Sequence, residues 1–264
     1  MEQAIFISKV KNLKYVTNKY SRVYYGVEFC ERLIPGKEDL KQVLNFISKN
    51  ELSFTLVTPY VTHEGLDRCK LLIRFLIDER PNSEIVINDW GFLRLLQKEY
   101  RNNSLKLVLG RLLTKQKRGP RILYLIHKIP NGAIEHFKMS SVDVPIFASF
   151  LMDKGINRVE LDNLLQGISR PNSRIKGSLY IPFSFLTTTR LCPVSLAAKK
   201  GSPLRAILPC NRECQKFTFK LQHKRMPVDL FLKGNTVFFE NNIVPKNLDK
   251  LNIDRLVYQP EIPL

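Results

Sequence analysis

Acidic residues are scarce in this chain. Its 264 residues hold 24 Asp and Glu against 42 Lys and Arg, a formal net charge of +18. That imbalance creates a field that draws nucleic acid, anionic metabolites, acidic proteins or a negatively charged membrane face, without choosing among them. Long apolar runs are missing as well. No stretch approaches the roughly 18 apolar residues that span a bilayer, and the opening MEQAIFISKVKNLKYV lacks the basic, apolar, small order of a secretory signal. The expectation is a cytoplasmic protein with no membrane span. Cysteine is sparse, with five residues, and in a reducing compartment an odd set argues against a disulfide framework and for thiols that are buried, reactive or metal-bound.

Several catalytic templates are absent too. There is no Gly-x-Gly-x-x-Gly turn after the first clear strand, which removes the usual support for a dinucleotide-binding sheet, and no P-loop, RNP signature or zinc-finger spacing. The four histidines, His63, His127, His136 and His223, lack His-x3-His or His-Glu-x2-His spacing, so a zinc hydrolase has little support. Glu135 and His136 read as a surface pair. No Gly-x-Ser-x-Gly elbow occurs, and Thr187, Thr188 and Thr189 read as a strand end bonding its own backbone. A peptidase is not supported by these residues.

What is present is a 44% hydrophobic composition, enough for a real core, and apolar runs that alternate with segments of helical period. VYYGVEF (23–29), SFTLVTP (53–59), EIVIND (84–89) and LKLVLG (105–110) read as strands. Between them, KEDLKQVLNFISKN places Leu40, Val43, Leu44 and Ile47 on one helical face, and LDRCKLLIRFLIDE and WGFLRLLQKEY follow the same rule. Later come VDVPIFASFLMDKG as helix, then NRVELD (157–162), SLYIPFS (178–184), FTFKL (217–221), TVFFE (236–240) and DRLVYQP (254–260) as strands. Strands separated by helices of this length pair in parallel through right-handed crossovers, so the class is α/β. About eight strands favour a TIM-like (β/α) barrel, expected to be irregular or incomplete because the pattern fails between 121 and 156 and after 185. A single domain over 1–264 is expected, with a cysteine-containing loop at 185–216.

In such a barrel, function sits where strands end. That rule singles out Glu28 and Cys30 after one strand, Asp89 after another, Arg111 after a third, and Glu160 and Asp162 on a later one. The acids are candidates for proton transfer, although strand-end acids more often cap a helix or pair with Arg. Arg111, Lys115, Lys117 and Arg118 would neutralise a carboxylate or a phosphate backbone. Cys69 shares a helix face with Leu66, Leu72 and Leu76 and reads as a core thiol. Cys192, Cys210 and Cys214 lie in a basic, Pro-containing stretch with no period to bury them, and Cys30 leaves an early strand. A closed barrel could bring these four together, and four thiolates suit tetrahedral zinc or a cubane iron-sulfur cluster. Nearby Lys and Arg are expected to lower the thiol pKa values.

The motifs VYYGVEFCERL, INDWGFLRLL, LVLGRLLTKQKRGPRI, INRVELD, TTTRLCPVSL and CNREC, taken in order over residues 22–260, resemble the collagenase-like peptidase superfamily, and most of all its short, UbiV-like members of ubiquinone biosynthesis. The resemblance implies a barrel and a 4Fe-4S cluster on Cys30, Cys192, Cys210 and Cys214. It implies a component of oxygen-independent hydroxylation, of a ubiquinone precursor or an RNA base, with a paired family subunit and with an anionic donor such as prephenate. Glu28, Asp89, Arg111, Arg118 and Glu160 are the substrate-binding candidates. The long gap between Cys192 and Cys210 and the run RLLTKQKRGPRI depart from the family's short members, which leaves the substrate open. Against this stands a basic nucleic-acid-binding module with structural zinc.

Overall fold

The computed structural model describes residues 1–100, 104–171, 173–197 and 210–264. Eight parallel strands close into a barrel: β1 (Glu2–Ile7), β2 (Arg22–Gly26), β3 (Ser53–Val57), β4 (Glu84–Ile87), β5 (Lys106–Leu109), β6 (Arg158–Asp162), β7 (Lys176–Ile181) and β12 (Ile253–Tyr258), with β12 joining β7 to β1. The barrel is therefore complete, and the expected irregularity lies outside it. Helices α1 (Lys37–Lys49), α2 (His63–Glu79) and α3 (Trp90–Glu99) form regular crossovers after β2, β3 and β4. After β5 the ring breaks into short pieces, α4 (Ile122–Leu125), α5 (Asn131–Lys138) and α6 (Pro145–Asp153). Between β7 and β12 lies a second sheet of antiparallel strands, β8 (Phe183–Thr188), β9 (Phe219–Leu221), β10 (Leu230–Lys233) and β11 (Thr236–Glu240), with the short helix α7 (Pro193–Ala197) after β8.

Strand periodicity explains both faces of the barrel. On β1, Ile5 and Ile7 point out to the helices, while Ala4 and Phe6 point in to meet Tyr24, Val57, Val86, Val108, Tyr180 and Val257. The helices answer with apolar stripes, and α1 buries the four residues its spacing predicts: Leu40, Val43, Leu44 and Ile47.

Polar layers lie at both ends of this apolar girdle. At the N-terminal end, Arg255 donates to both oxygens of Glu84 at 2.7 and 3.0 Å, to Glu2 at 2.6 Å and to the Tyr24 hydroxyl at 2.6 Å. Tyr24 in turn donates to Glu160 at 3.0 Å. Burial pushes the Glu160 carboxyl up from 4.5 to about 8, against Arg255 and Arg158, so it carries a proton at neutral pH. The folded chain binds that proton more tightly than the unfolded chain does. Its contribution to stability is therefore full below about 4.5 and is lost as pH rises through about 8. Glu160→Gln is expected to flatten the dependence of the urea midpoint on pH across that window; an unchanged slope would place the proton elsewhere.

Candidate metal centre

Strand β2 leaves the barrel at Gly26, whose φ of +135° and whose place against Val57 exclude any side chain: a Cβ there would sit 2.1 Å from the Val57 carbonyl oxygen. The next residues then diverge. Glu28 turns into the barrel mouth, Phe29 packs against Phe185 and Phe238, and Cys30 faces a cavity beside the rim.

That cavity, of about 460 Å³, is lined by Cys30, Cys192, Cys210 and Cys214 together. Cys192 precedes α7, and its sulfur accepts the Ser195 N–H at 3.4 Å, as a capping side chain does. Cys210 accepts the Arg212 N–H at 3.3 Å, and Cys214 accepts from the Gln215 side-chain amide at 3.4 Å. Cys30 sits within reach of the Arg32 backbone N–H. Every sulfur thus has an N–H donor, the arrangement that stabilises anionic sulfur. Gly234, at φ +60°, forms part of the wall, where a Cβ would come within 3.1 Å of the Cys214 Cβ. Residues 198–209, which make up most of the sequence between Cys192 and Cys210, lie outside the described residues, as does part of the expected loop at 185–216.

The thiol electrostatics correct the sequence expectation at Cys192. Burial pushes Cys30 up to about 11, helped by the neighbouring thiols Cys214, Cys210 and Cys192 and opposed by the Arg32 N–H, and burial also raises Cys192. The basic residues of this stretch that are described, Arg212, Lys216, Lys220, Lys224 and Arg225, are exposed to solvent, where water screens them. A cation bound to Cys30 and Cys192 would displace their protons.

Cys69 lies elsewhere, 1% exposed in α2, and burial pushes its thiol up to about 12. Cys69→Ala is expected to leave the metal content of the chain unchanged and to lower stability by about 1 kcal/mol; a loss of metal would put this residue in the ligand set.

The substrate-binding candidates separate into three places. Arg111, 0% exposed, donates to both oxygens of Glu28, to Asp162 at 2.8 Å and to the Phe183 carbonyl at 3.0 Å. Arg118 turns inward to Asp162 at 2.6 Å, leaving Lys115 and Lys117 as the exposed members of the basic group. The Arg111 guanidinium also lies 4.1 Å from the Tyr180 ring centre and that of Arg118 4.2 Å from Phe185. These charges face each other across the barrel mouth. Glu160 lies deeper, and neither its second oxygen nor the Tyr180 hydroxyl has a partner among the described residues. Asp89 stands apart as the cap of α3, accepting from Phe92 at 3.0 Å and from the Val61 N–H at 3.2 Å. The four histidines are all exposed.

Sequence reasoning passes over Gly234 and Tyr60, which also line the thiol cavity. The Lys-Gly-Asn-Thr stretch between two apolar runs is a hairpin signal that marks the first; nothing marks the second.

No family model matches the chain, and no curated protein does either. Solved structures do match. One of them, a U32 peptidase, has 12% sequence identity and a TM-score of 0.52 over 100% of this chain and 94% of its own. Its fold is similar throughout. Another, a family 18 N-acetylglucosaminidase from Paenibacillus barengoltzii, has 9% identity and a TM-score of 0.40 over 97% of this chain and 94% of its own. At 12% identity the likeness to the U32 peptidase is one of fold. Among the described residues no helix is long and apolar enough to cross a membrane.

Proposed function

We propose that this chain is an iron-sulfur protein of the collagenase-like peptidase superfamily, with a 4Fe-4S cluster on Cys30, Cys192, Cys210 and Cys214, serving as a component of an oxygen-independent hydroxylation. The observation that carries the reading is the convergence of four thiols, each with an N–H donor, on one cavity. Likeness of fold to a U32 peptidase supports the superfamily.

A single ion and a cubane ask for different separations of four sulfurs. Around one zinc, four sulfurs bonded at about 2.3 Å crowd close together. Among the described residues no three His, Cys, Asp or Glu side chains gather closely enough to hold one ion. A 4Fe-4S cubane takes four sulfurs set wider apart than one ion does. When bound, such a cluster passes single electrons.

The remaining work falls to the chain's own groups. Phe29 and Leu264 close the inner wall and exclude water, while Arg32 and Arg190, both exposed at the opening, offer charge to an anionic donor such as a carboxylate. Arg190 is held over the Tyr60 ring, 5.0 Å from its centre. Substrate choice, between a ubiquinone precursor and an RNA base, and a paired subunit belong to the same proposal. Anaerobic purification with iron, acid-labile sulfide and zinc analysis tests it. Iron and sulfide in near-equal amounts are expected; a colourless chain holding zinc alone would overturn it in favour of a structural zinc module.

A further inference from the structure

The tight turn between β10 and β11 touches the segments carrying three of the four cysteines. Gly234 forms the wall behind Cys214, as described. Its neighbour Asn235, 6% exposed, donates from its side-chain nitrogen to the Phe29 carbonyl at 2.7 Å, immediately before Cys30. The same nitrogen reaches the Thr189 carbonyl at 2.7 Å, three residues before Cys192, and the Tyr60 hydroxyl at 3.0 Å. Tyr60 donates in turn to the Thr189 carbonyl at 2.8 Å, and the Thr189 N–H returns to the Asn235 carbonyl at 3.0 Å. The amide orientation follows from its partners, because an oxygen in place of that nitrogen would face two carbonyl oxygens.

We propose that the Gly234–Asn235 turn is a clamp that fixes the spacing of Cys30, Cys192 and Cys214 around the metal centre, and that Asn235 and Tyr60 are positioning residues for it. This rests on the cavity being a cluster site. The physical argument is one of order. Cys30 and Cys192 belong to segments about 160 residues apart in the chain. Without a shared anchor, each loop would lose its freedom only when metal binds, and that lost entropy would weaken loading. Asn235 spans the two loops directly, and its backbone neighbour packs on the third, so the ligands are ordered beforehand. Removing the amide also takes the Asn235 donor from the Phe29 carbonyl and leaves the Thr189 carbonyl to the Tyr60 hydroxyl, which loosens the segments that hold the thiols.

Asn235→Ala and Tyr60→Phe test the clamp, each purified anaerobically beside the unaltered chain. The readouts are iron and sulfide per chain, the rate at which visible absorption bleaches in air, the EPR line shape of the reduced cluster, and the melting temperature without metal. Asn235→Ala is expected to lose its cluster about tenfold faster or more, as changes behind metal ligands commonly do. Tyr60→Phe, which keeps the ring and its packing, should shift the same readouts in the same direction by less, with the melting temperature of the metal-free chain nearly unchanged. If Asn235→Ala fails to fold, Tyr60→Phe decides. An unaltered chain that binds no iron would overturn the cluster and the clamp together. Iron bound in the unaltered chain, with wild-type bleaching and line shape in every variant that folds, would overturn the clamp alone.

Discussion

Arg111→Met is expected to melt roughly 10 °C below the unaltered chain, because removing one partner of a buried ion network costs about 3–5 kcal/mol. The loss comes from what stays behind. Glu28 and Asp162 are 1% and 0% exposed; Glu28 takes its compensating charge from the Arg111 guanidinium, whereas Asp162 shares Arg111 with Arg118. Methionine fills much of the volume but supplies none of the donors, so Glu28 must take up a proton or draw water into the barrel mouth, while Asp162 is left with Arg118 alone. Lysine should not rescue, since one ammonium cannot serve both Glu28 oxygens, Asp162 and the Phe183 carbonyl in the planar pattern that Arg111 uses. Adding Glu28→Gln to Arg111→Met should recover part of the loss by removing one of the stranded charges. Thermal melts of the single and double variants decide it. A single variant that melts with the unaltered chain would mean that the network contributes nothing to stability.

Cys214→Ala is expected to reduce iron per chain by more than roughly tenfold, since replacing a ligand itself should exceed the 10–100-fold that groups behind ligands command. Cys214 is 6% exposed, backed by Gly234 and tied to Gln215, so no other described sulfur can move into its place without displacing that wall. Loss of iron with the barrel's circular dichroism intact would separate ligation from folding. Iron content equal to that of the unaltered chain would remove Cys214 from the ligand set and undo the four-thiol centre.

Much of the barrel is legible in the sequence because period-2 and period-3.6 patterns are local. The helix over 37–50 and the strands after it are where the residues place them. Other elements are obscured by ambiguities of the chain itself. QAIFI at the start is a short apolar run like many others, and it becomes β1 through parallel pairing with β2 on one side and with β12, some 250 residues away, on the other. SLYIPFS contains two strands of different sheets, because Pro182 has no N–H to continue a ladder and the chain leaves the barrel there. FTFKL and TVFFE are strands as read, but of the inserted antiparallel sheet, since alternation alone does not name a partner. At the candidate site, the grouping of Cys30 with the three later cysteines follows from chain ends meeting at a rim. Which way each charged side chain turns does not. Arg111 and Arg118 look like solvent cations beside Lys115 and Lys117, yet both turn inward, since the barrel mouth holds buried acids that only guanidinium forks can satisfy.

The order of strands around the barrel sets a timetable for synthesis. Strand β1 emerges first, and one of its two neighbours, β12, is made only after all four thiols of the cavity have left the ribosome. At usual translation speeds that interval is roughly 10–50 s. For that time the nascent chain carries an unpaired parallel edge on β1, joined late in the interval by another on β7, each a template for pairing with a stranger. Insertion of the proposed cluster would share that late window with barrel closure.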